Sequence, residues 1–273
     1  LRMIEENNRA LARSERPVSL LPVSANGREV STSVPIRLAA NADLTDLVRL
    51  PGGRLLLVGA AGLRPLVADV SLDGAVTWER VLPGDVPVVV ESVSPTSDGG
   101  AALLGRSGSE PKSARLWVGV ISGKGELVAQ TFLPGHDGEI ARLESGEYAL
   151  VYDQIAGTGF DIGLKRLGAD LKERAASPLL QKQTATGAYR VSAMAGGFVV
   201  AGVRDRGLWM ARFDASGKEL WSDARPPAPP DLEIVTHLEL LPRARTLIVP
   251  ASMYVVQGRE QRQVVKVLRF SVD

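Results

Sequence analysis

The chain has 273 residues, 45% of them hydrophobic, and its 32 basic and 31 acidic side chains leave a net charge of +1. That balance carries no electrostatic footprint for DNA or RNA, and 5% aromatic content offers few rings for bases to stack on. With no cysteine there is neither a disulfide nor a thiol nucleophile, and no run approaches the roughly 18 apolar residues of a membrane span.

Leu1 to Arg16 is charged and rich in good helix formers, so a short helical lead-in is expected over 1–16, ahead of one domain over 17–273. The sequence starts at Leu1 rather than at a methionine, which suggests a removed leader and a periplasmic or secreted protein. Val18 to Ser24 then reads as a strand, Asn26-Gly27 as a turn and Val30 to Leu38 as a second strand.

Beyond this point one short grammar recurs. A glycine-initiated apolar run appears as Gly53-Arg54-Leu55-Leu56-Leu57-Val58-Gly59, Gly100-Ala101-Ala102-Leu103-Leu104-Gly105, Gly146-Glu147-Tyr148-Ala149-Leu150-Val151 and Gly197-Phe198-Val199-Val200-Ala201-Gly202. A degenerate fifth copy is Ala244 to Val249, and the starts step by 47, 46, 51 and 47 residues. A second series of turns lies out of phase, at Gly27, Gly74, Gly125 and Gly217, with Leu171 where the third copy should carry glycine. Tight hairpin turns demand positive φ, which glycine reaches without a Cβ clash, so Leu171 is expected in a different and longer turn. Four residues before each turn stands an apolar side chain, Val23, Val70, Ile121, Leu167 or Phe213, and Phe270 continues the register.

A period near 47 residues with four strands per copy reads as an all-β, five-bladed β-propeller. The last copy stops after its third strand, so Val30 to Leu38 is expected to close it against Arg243 to Asp273; an open apolar edge would invite aggregation. Val18 to Ser24 spoils the count by giving six candidate third strands for five places. Either it pairs outside the last blade or the ring closes differently.

Leu208-Trp209-Met210-Ala211-Arg212-Phe213, followed by Asp214-Ala215-Ser216-Gly217-Lys218-Glu219-Leu220-Trp221, resembles the repeat of bacterial propellers related to the pyrroloquinoline-quinone-type group. Asp73-Gly74-Ala75-Val76-Thr77-Trp78 is a second copy; the others have lost the Trp. The resemblance implies a fold, since such propellers include enzymes, scaffolds and inhibitors. Quinone-binding members resemble eight-bladed rings with a vicinal cysteine pair, which this chain lacks, so no cofactor is expected. Ser71 to Trp78 also resembles the sialidase Asp-box, with glycine one position early. That motif is a structural turn and locates no active site.

Seven positions before 53, 146, 197 and 244 stand Asp46, Glu139, Arg190 and His237, each followed by an apolar residue. The second copy gives Val93 at the strict offset, with Ser92 and Glu91 one and two residues away. At the mouth of a channel these groups would supply proton transfer, an anion clamp or metal ligation. They would equally pair with one another or simply face water. His136, in Pro134 to Gly138, reads as a solvated loop histidine; with only two histidines a multi-histidine metal centre is excluded, while a carboxylate calcium site stays open. Gly105 to Ser109 and Gly157-Thr158-Gly159 lack the following helix that a nucleophile elbow or a phosphate cradle needs, so no catalytic residue is assigned.

Three segments read as loops able to meet a partner: Arg106 to Arg115, Asp153 to Phe160, and Met253 to Gln263. They supply Arg106, Phe160, Tyr254, Arg259 and Arg262, the apolar, aromatic and arginine mixture of interface centres. The plain alternative for the last is a projecting hairpin. Three functional readings follow. The first is a non-catalytic propeller that binds a protein, as an envelope scaffold or as an inhibitor or immunity protein of a toxic enzyme. The second is a glycan- or small-ligand-binding propeller; the third is a five-bladed glycoside hydrolase with Asp46 and Glu139 as acid and base.

Overall fold

The apolar runs become central strands because both of their faces are buried. In the computed structural model, which describes residues 2–5, 18–21, 33–39, 42–108, 113–157, 159–183, 189–204, 207–225, 232–238, 240–243, 246–257 and 260–271, six sheets follow one another along the chain. The chain divides into two compact units, residues 1–108 with 117–130, and residues 109–116 with 131–273.

The first unit opens with a three-stranded sheet of β1 (Arg2–Glu5), β2 (Val18–Leu21) and β3 (Val34–Ile36). Residues 2–5 are thus a strand, not the start of the expected helix; 6–16 lie outside the described residues. Propensity is a weak prior here, since a short helix gains little alone and a neighbouring strand offers four paired positions. β2 pairs with β3 through Val18↔Ile36 and Leu20↔Val34, so the surplus third strand belongs to a sheet of its own. The described part of Val30 to Leu38 therefore has β2 as its partner, and a pairing with the C-terminal strand is not among the described strand pairs. A strand close in sequence costs less loop entropy to recruit, and Leu20 and Ile36 bury against Leu55, Leu57, Ala68 and Val70 of the next sheet.

That next sheet is β4 (Asp43–Arg49), β5 (Leu55–Ala61), β6 (Arg64–Val70) and β7 (Val76–Val81), in sequential order. The third sheet repeats it with β8 (Val88–Pro95), β9 (Ala101–Ser107), β10 (Arg115–Ile121) and β11 (Leu127–Pro134). In the second unit come β12 (Gly138–Arg142), β13 (Tyr148–Ala156), β14 (Gly159–Leu167) and β15 (Glu173–Gln183). The fifth sheet is β16 (Arg190–Met194), β17 (Gly197–Arg204), β18 (Gly207–Asp214) and β19 (Glu219–Arg225). The last has β20 (Leu232–Leu238), β21 (Leu241–Arg243), β22 (Thr246–Gln257) and β23 (Glu260–Ser271). β20 and β21 pair with successive parts of β22, so the first strand of this sheet is broken in two.

β17 shows why the runs are continuously apolar. Phe198 and Val200 join a core with Ala149, Val151, Ile162, Leu164 and Phe213, and the Phe198 and Phe213 rings stack at 5.1 Å. Val199 and Ala201, on the opposite face, join Leu247, Val249 and Phe270, with Trp221 packed against them. A strand buried on both faces shows no polar alternation.

Most of the described turns, in both series, close with one hydrogen-bond pattern, the two-residue turn between Met194 and Gly197 excepted. In the sheet of β4 to β7, Ser71 N–H donates to Ala75 O and Gly74 N–H to Ser71 O, both at 3.0 Å. The pattern recurs at Ser122 to Glu126 and Asp214 to Lys218, and also at Gly168 to Lys172, where Leu171 fills the glycine place at φ 59°. The longer turn expected for Leu171 does not form. Left-handed backbone costs a Cβ residue about 1–2 kcal/mol, and a Leu171 side chain only 4% exposed offsets that by burial. Between β8 and β9 the turn glycine is Gly99, at φ 83°, rather than Gly100. Gly100 is needed for another reason: a Cβ there would stand 2.1 Å from Ile121 O.

Candidate functional site

Ladder register puts Asp46, Ser92, Glu139 and Arg190 at equivalent positions, opposite Val58, Leu104, Val151 and Ala201. Each stands three residues before the residue that opposes Leu55, Ala101, Tyr148 or Phe198. The slip of one residue that brings in Ser92 follows from the turn falling at Gly99. His237 opposes Ser252. Leu247 opposes Phe270 as Leu55 opposes Val70, so the equivalent position faces Pro250, at the break between β20 and β21; His237 lies two ladder positions away.

These side chains are tied to neighbouring strands. In the first unit Asp46 accepts the Val93 N–H at 3.1 Å and the Leu47 N–H at 2.8 Å, while the Thr45 hydroxyl donates to Val90 O at 2.6 Å. Side chains of β4 thereby satisfy backbone groups of β8. In the second unit Arg190 Nη1 lies 3.3 Å from Glu139 Oε2, joining β16 to β12. Both side chains of that pair are mostly buried.

The buried acids were hidden from sequence reasoning. Asp153, expected at the start of a glycine-rich loop, stands within β13 opposite Ile162 and is 2% exposed. The Asp137 N–H donates to its Oδ1 at 2.9 Å, and His136 Nδ1 lies 3.6 Å from the same oxygen. Burial first, and the Asp137 charge second, push its carboxyl up from 3.8 to about 6. His136 is not the solvated histidine expected, because its side chain is 19% exposed and packed beside that carboxyl. Asp69 in β6 is fully buried and receives Arg54; desolvation still holds its carboxyl above the ordinary value. Glu147 and Arg166 repeat this pair with the charges exchanged at the same ladder positions. The one sequence signal for such acids is a carboxylate inside an apolar run.

The loop candidates fall largely on strands. Arg106 is in β9 opposite Val89 and 3.4 Å from Glu91; Phe160 is in β14 opposite Ile155 and packs on the core. Tyr254 opposes Gln263 and Ile234, and Arg262 opposes Val255, while Arg259 lies outside the described residues. β22 and β23 run 12 residues each and pair throughout, so the described part of Met253 to Gln263 is ladder rather than open loop.

Two surfaces emerge instead. Val88 N–H donates to Leu63 O at 2.9 Å, placing the β5–β6 turn beside the β7–β8 connection. Leu63 is 63% and Val86 45% exposed there. In the second unit a cavity of 240 Å³ opens on the sheet of β12 to β15, lined by Tyr152 and Gln154, by Asp161 to Gly163 and by Ala176 to Pro178. Among the described residues no three His, Cys, Asp or Glu side chains gather as a metal site, and no helix is long and apolar enough to cross a membrane.

No protein-family model and no curated protein matches the chain. Solved structures do. The subtype N11 neuraminidase-like protein of A/flat-faced bat/Peru/033/2010 aligns with TM-score 0.56 at 8% identity, over 95% of this chain and 81% of that one. The Neurospora crassa Pan2 WD40 domain aligns at 0.55 and 13% identity, over 88% and 68%. BBS1N, solved in complex with ARL6DN, aligns at 0.52 and 12% identity, over 93% and 77%. The chain has a β-propeller fold, and likeness at such identities is one of fold alone.

Proposed function

We propose that the protein is a non-catalytic propeller that binds a protein partner through the loop end carrying Leu63 and Val86. The observation that carries the reading is the pair of large apolar side chains, 63% and 45% exposed, on adjoining connections held together by the Val88 to Leu63 hydrogen bond. Apolar groups raised on a rigid strand scaffold suit the centre of an interface, where they are desolvated at little conformational cost. The inner-strand carboxylates support the non-catalytic part. Asp46 serves two backbone N–H groups and Glu139 faces Arg190, engagements that a general acid and base would have to surrender. A neighbour of the same fold, BBS1N, was solved with a protein bound.

Within this reading the protein acts as an envelope scaffold or as an inhibitor or immunity protein, in the periplasm or outside the cell, and its repeats derive from the pyrroloquinoline-quinone-type group without the cofactor. The test is co-purification from the native cell with wild-type protein and with a Leu63→Glu, Val86→Glu double variant. A stoichiometric protein retained by the wild type and lost from an equally stable double variant supports the reading. Equal recovery with both, or none with either, refutes it.

A further inference from the structure

The sheet of β12 to β15 is distorted at one place, and the distortion makes a cavity. The β14–β15 ladder shifts register on both sides of Ile162, which opposes Leu180 while Gly163 opposes Pro178, so Leu179 is left unpaired. Such a bulge parts two strands locally, and proline beside it has no N–H to give the ladder. On β13, Tyr152 opposes Gly163 and Gln154 opposes Asp161, and directly opposed residues share a face. The Tyr152 phenol lies across Gly163: a Cβ there would meet its Cζ at 2.6 Å and its hydroxyl at 2.7 Å. Bulge, missing side chain and tucked ring together leave the 240 Å³ space.

Its lining decides what fits. The volume falls just below the range of about 300–1,000 Å³ typical of drug-sized ligands, so it suits one small ring rather than a nucleotide-sized cofactor. The polar side chains on the Tyr152 face of the lining are the Asp161 carboxylate, which only accepts, and the Gln154 amide and Tyr152 hydroxyl, which both donate and accept; Ser177 opposes Leu164, so its side chain belongs to the other face. A cation is disfavoured, because the Lys165 ammonium already stands 5.3 Å over the Tyr152 ring and pairs with Glu173. An anion is disfavoured by Asp161 itself. Hydroxyls that donate to a carboxylate and exchange bonds with an adjacent amide are the neutral match, with the phenol ring supplying apolar contact.

We infer that the cavity between Tyr152, Gln154 and Asp161 is a binding subsite for a neutral polyol of one ring, a single pyranose unit. It lies wholly in the second unit and does not depend on the partner reading. The test is amide chemical-shift titration of the folded protein with methyl glucoside, methyl galactoside, methyl mannoside and myo-inositol, alongside methylguanidinium and acetate. A lone subsite of this size binds weakly, with a dissociation constant of about 1 mM. Saturable shifts at Tyr152, Gln154 and Asp161 with at least one polyol are expected, weakened about tenfold by Asp161→Asn and by Gln154→Ala. Gly163→Ala sets a Cβ against the phenol, forcing the ring to move, and is expected to abolish the shifts; if it does not fold, the other two variants still decide. Saturation by methylguanidinium or acetate alone overturns the inference, as do polyol shifts elsewhere or no shifts at millimolar concentrations.

Discussion

Asp153 makes the protein's stability depend on pH in a direction opposite to that of an ordinary paired carboxylate. Its carboxyl is 2% exposed and titrates near 6 in the folded chain against 3.8 when free. A folded value raised above the unfolded one means that the stabilising form is protonated: the benefit is full below about pH 4 and lost as pH rises through about 6. A shift of about two units corresponds to about 3 kcal/mol at pH 7.5, falling to about 1 kcal/mol at pH 4.5. Asp153→Asn keeps an oxygen to accept the Asp137 N–H and removes the charge. The variant is therefore expected to be more stable than wild type at pH 7.5, by up to about 3 kcal/mol or roughly 5–10 °C in Tm, and to lose most of that advantage at pH 4.5. Urea titration at both pH values measures it. If Asp153→Asn destabilises the protein equally at both, the carboxylate is held ionised by His136 and the desolvation argument fails.

Arg54→Ala leaves Asp69 buried without its guanidinium and is expected to cost about 3 kcal/mol at neutral pH, most of it recovered by adding Asp69→Asn; strictly additive losses in denaturant titration would contradict the pairing. At Leu171 the usual order of substitutions reverses. Leu171→Ala forfeits burial and keeps the left-handed strain, whereas Leu171→Gly forfeits burial but relieves about 1 kcal/mol, so thermal denaturation should find the glycine variant the more stable of the two. Asp46→Ala uncouples β4 from β8 and is expected to cost about 1–2 kcal/mol, with hydrogen exchange of the Val93 amide accelerated; unchanged exchange there would contradict the tie.

How much of this was legible depended on whether the signal was local. The apolar runs at Leu55, Ala101, Tyr148, Phe198 and Thr246 all became second strands: a strand buried on both faces leaves a short continuous apolar run, and the glycine turns and the regular period bounding most of these runs set them apart from buried helix. In the first sheet the strands within Val18 to Ser24 and Val30 to Leu38 were legible, but not their pairing with each other or the strand Arg2–Glu5. Its strands are four, four and three residues long, and what fixes them is packing of Leu20 and Ile36 on Leu55 and Val70, residues far along the chain. Leu171 misled because glycine is sufficient for positive φ but not necessary when burial offsets the strain. Counting back from glycine put Asp46, Glu139 and Arg190 at equivalent ladder positions of their own sheets, yet it misplaced His237 by two positions, since a strand break changes the offset. Asp153 was out of reach because its environment is made by His136 and Asp137 from the preceding connection.

The central claim, a partner held at the Leu63 and Val86 end, is tested most directly by hydrogen exchange of the protein alone and with its co-purified partner. The account predicts slowed exchange at residues 62–64 and 84–88, with the rest of both units unchanged. Protection confined to the Glu139 and Arg190 strands, or no protection anywhere, would contradict it.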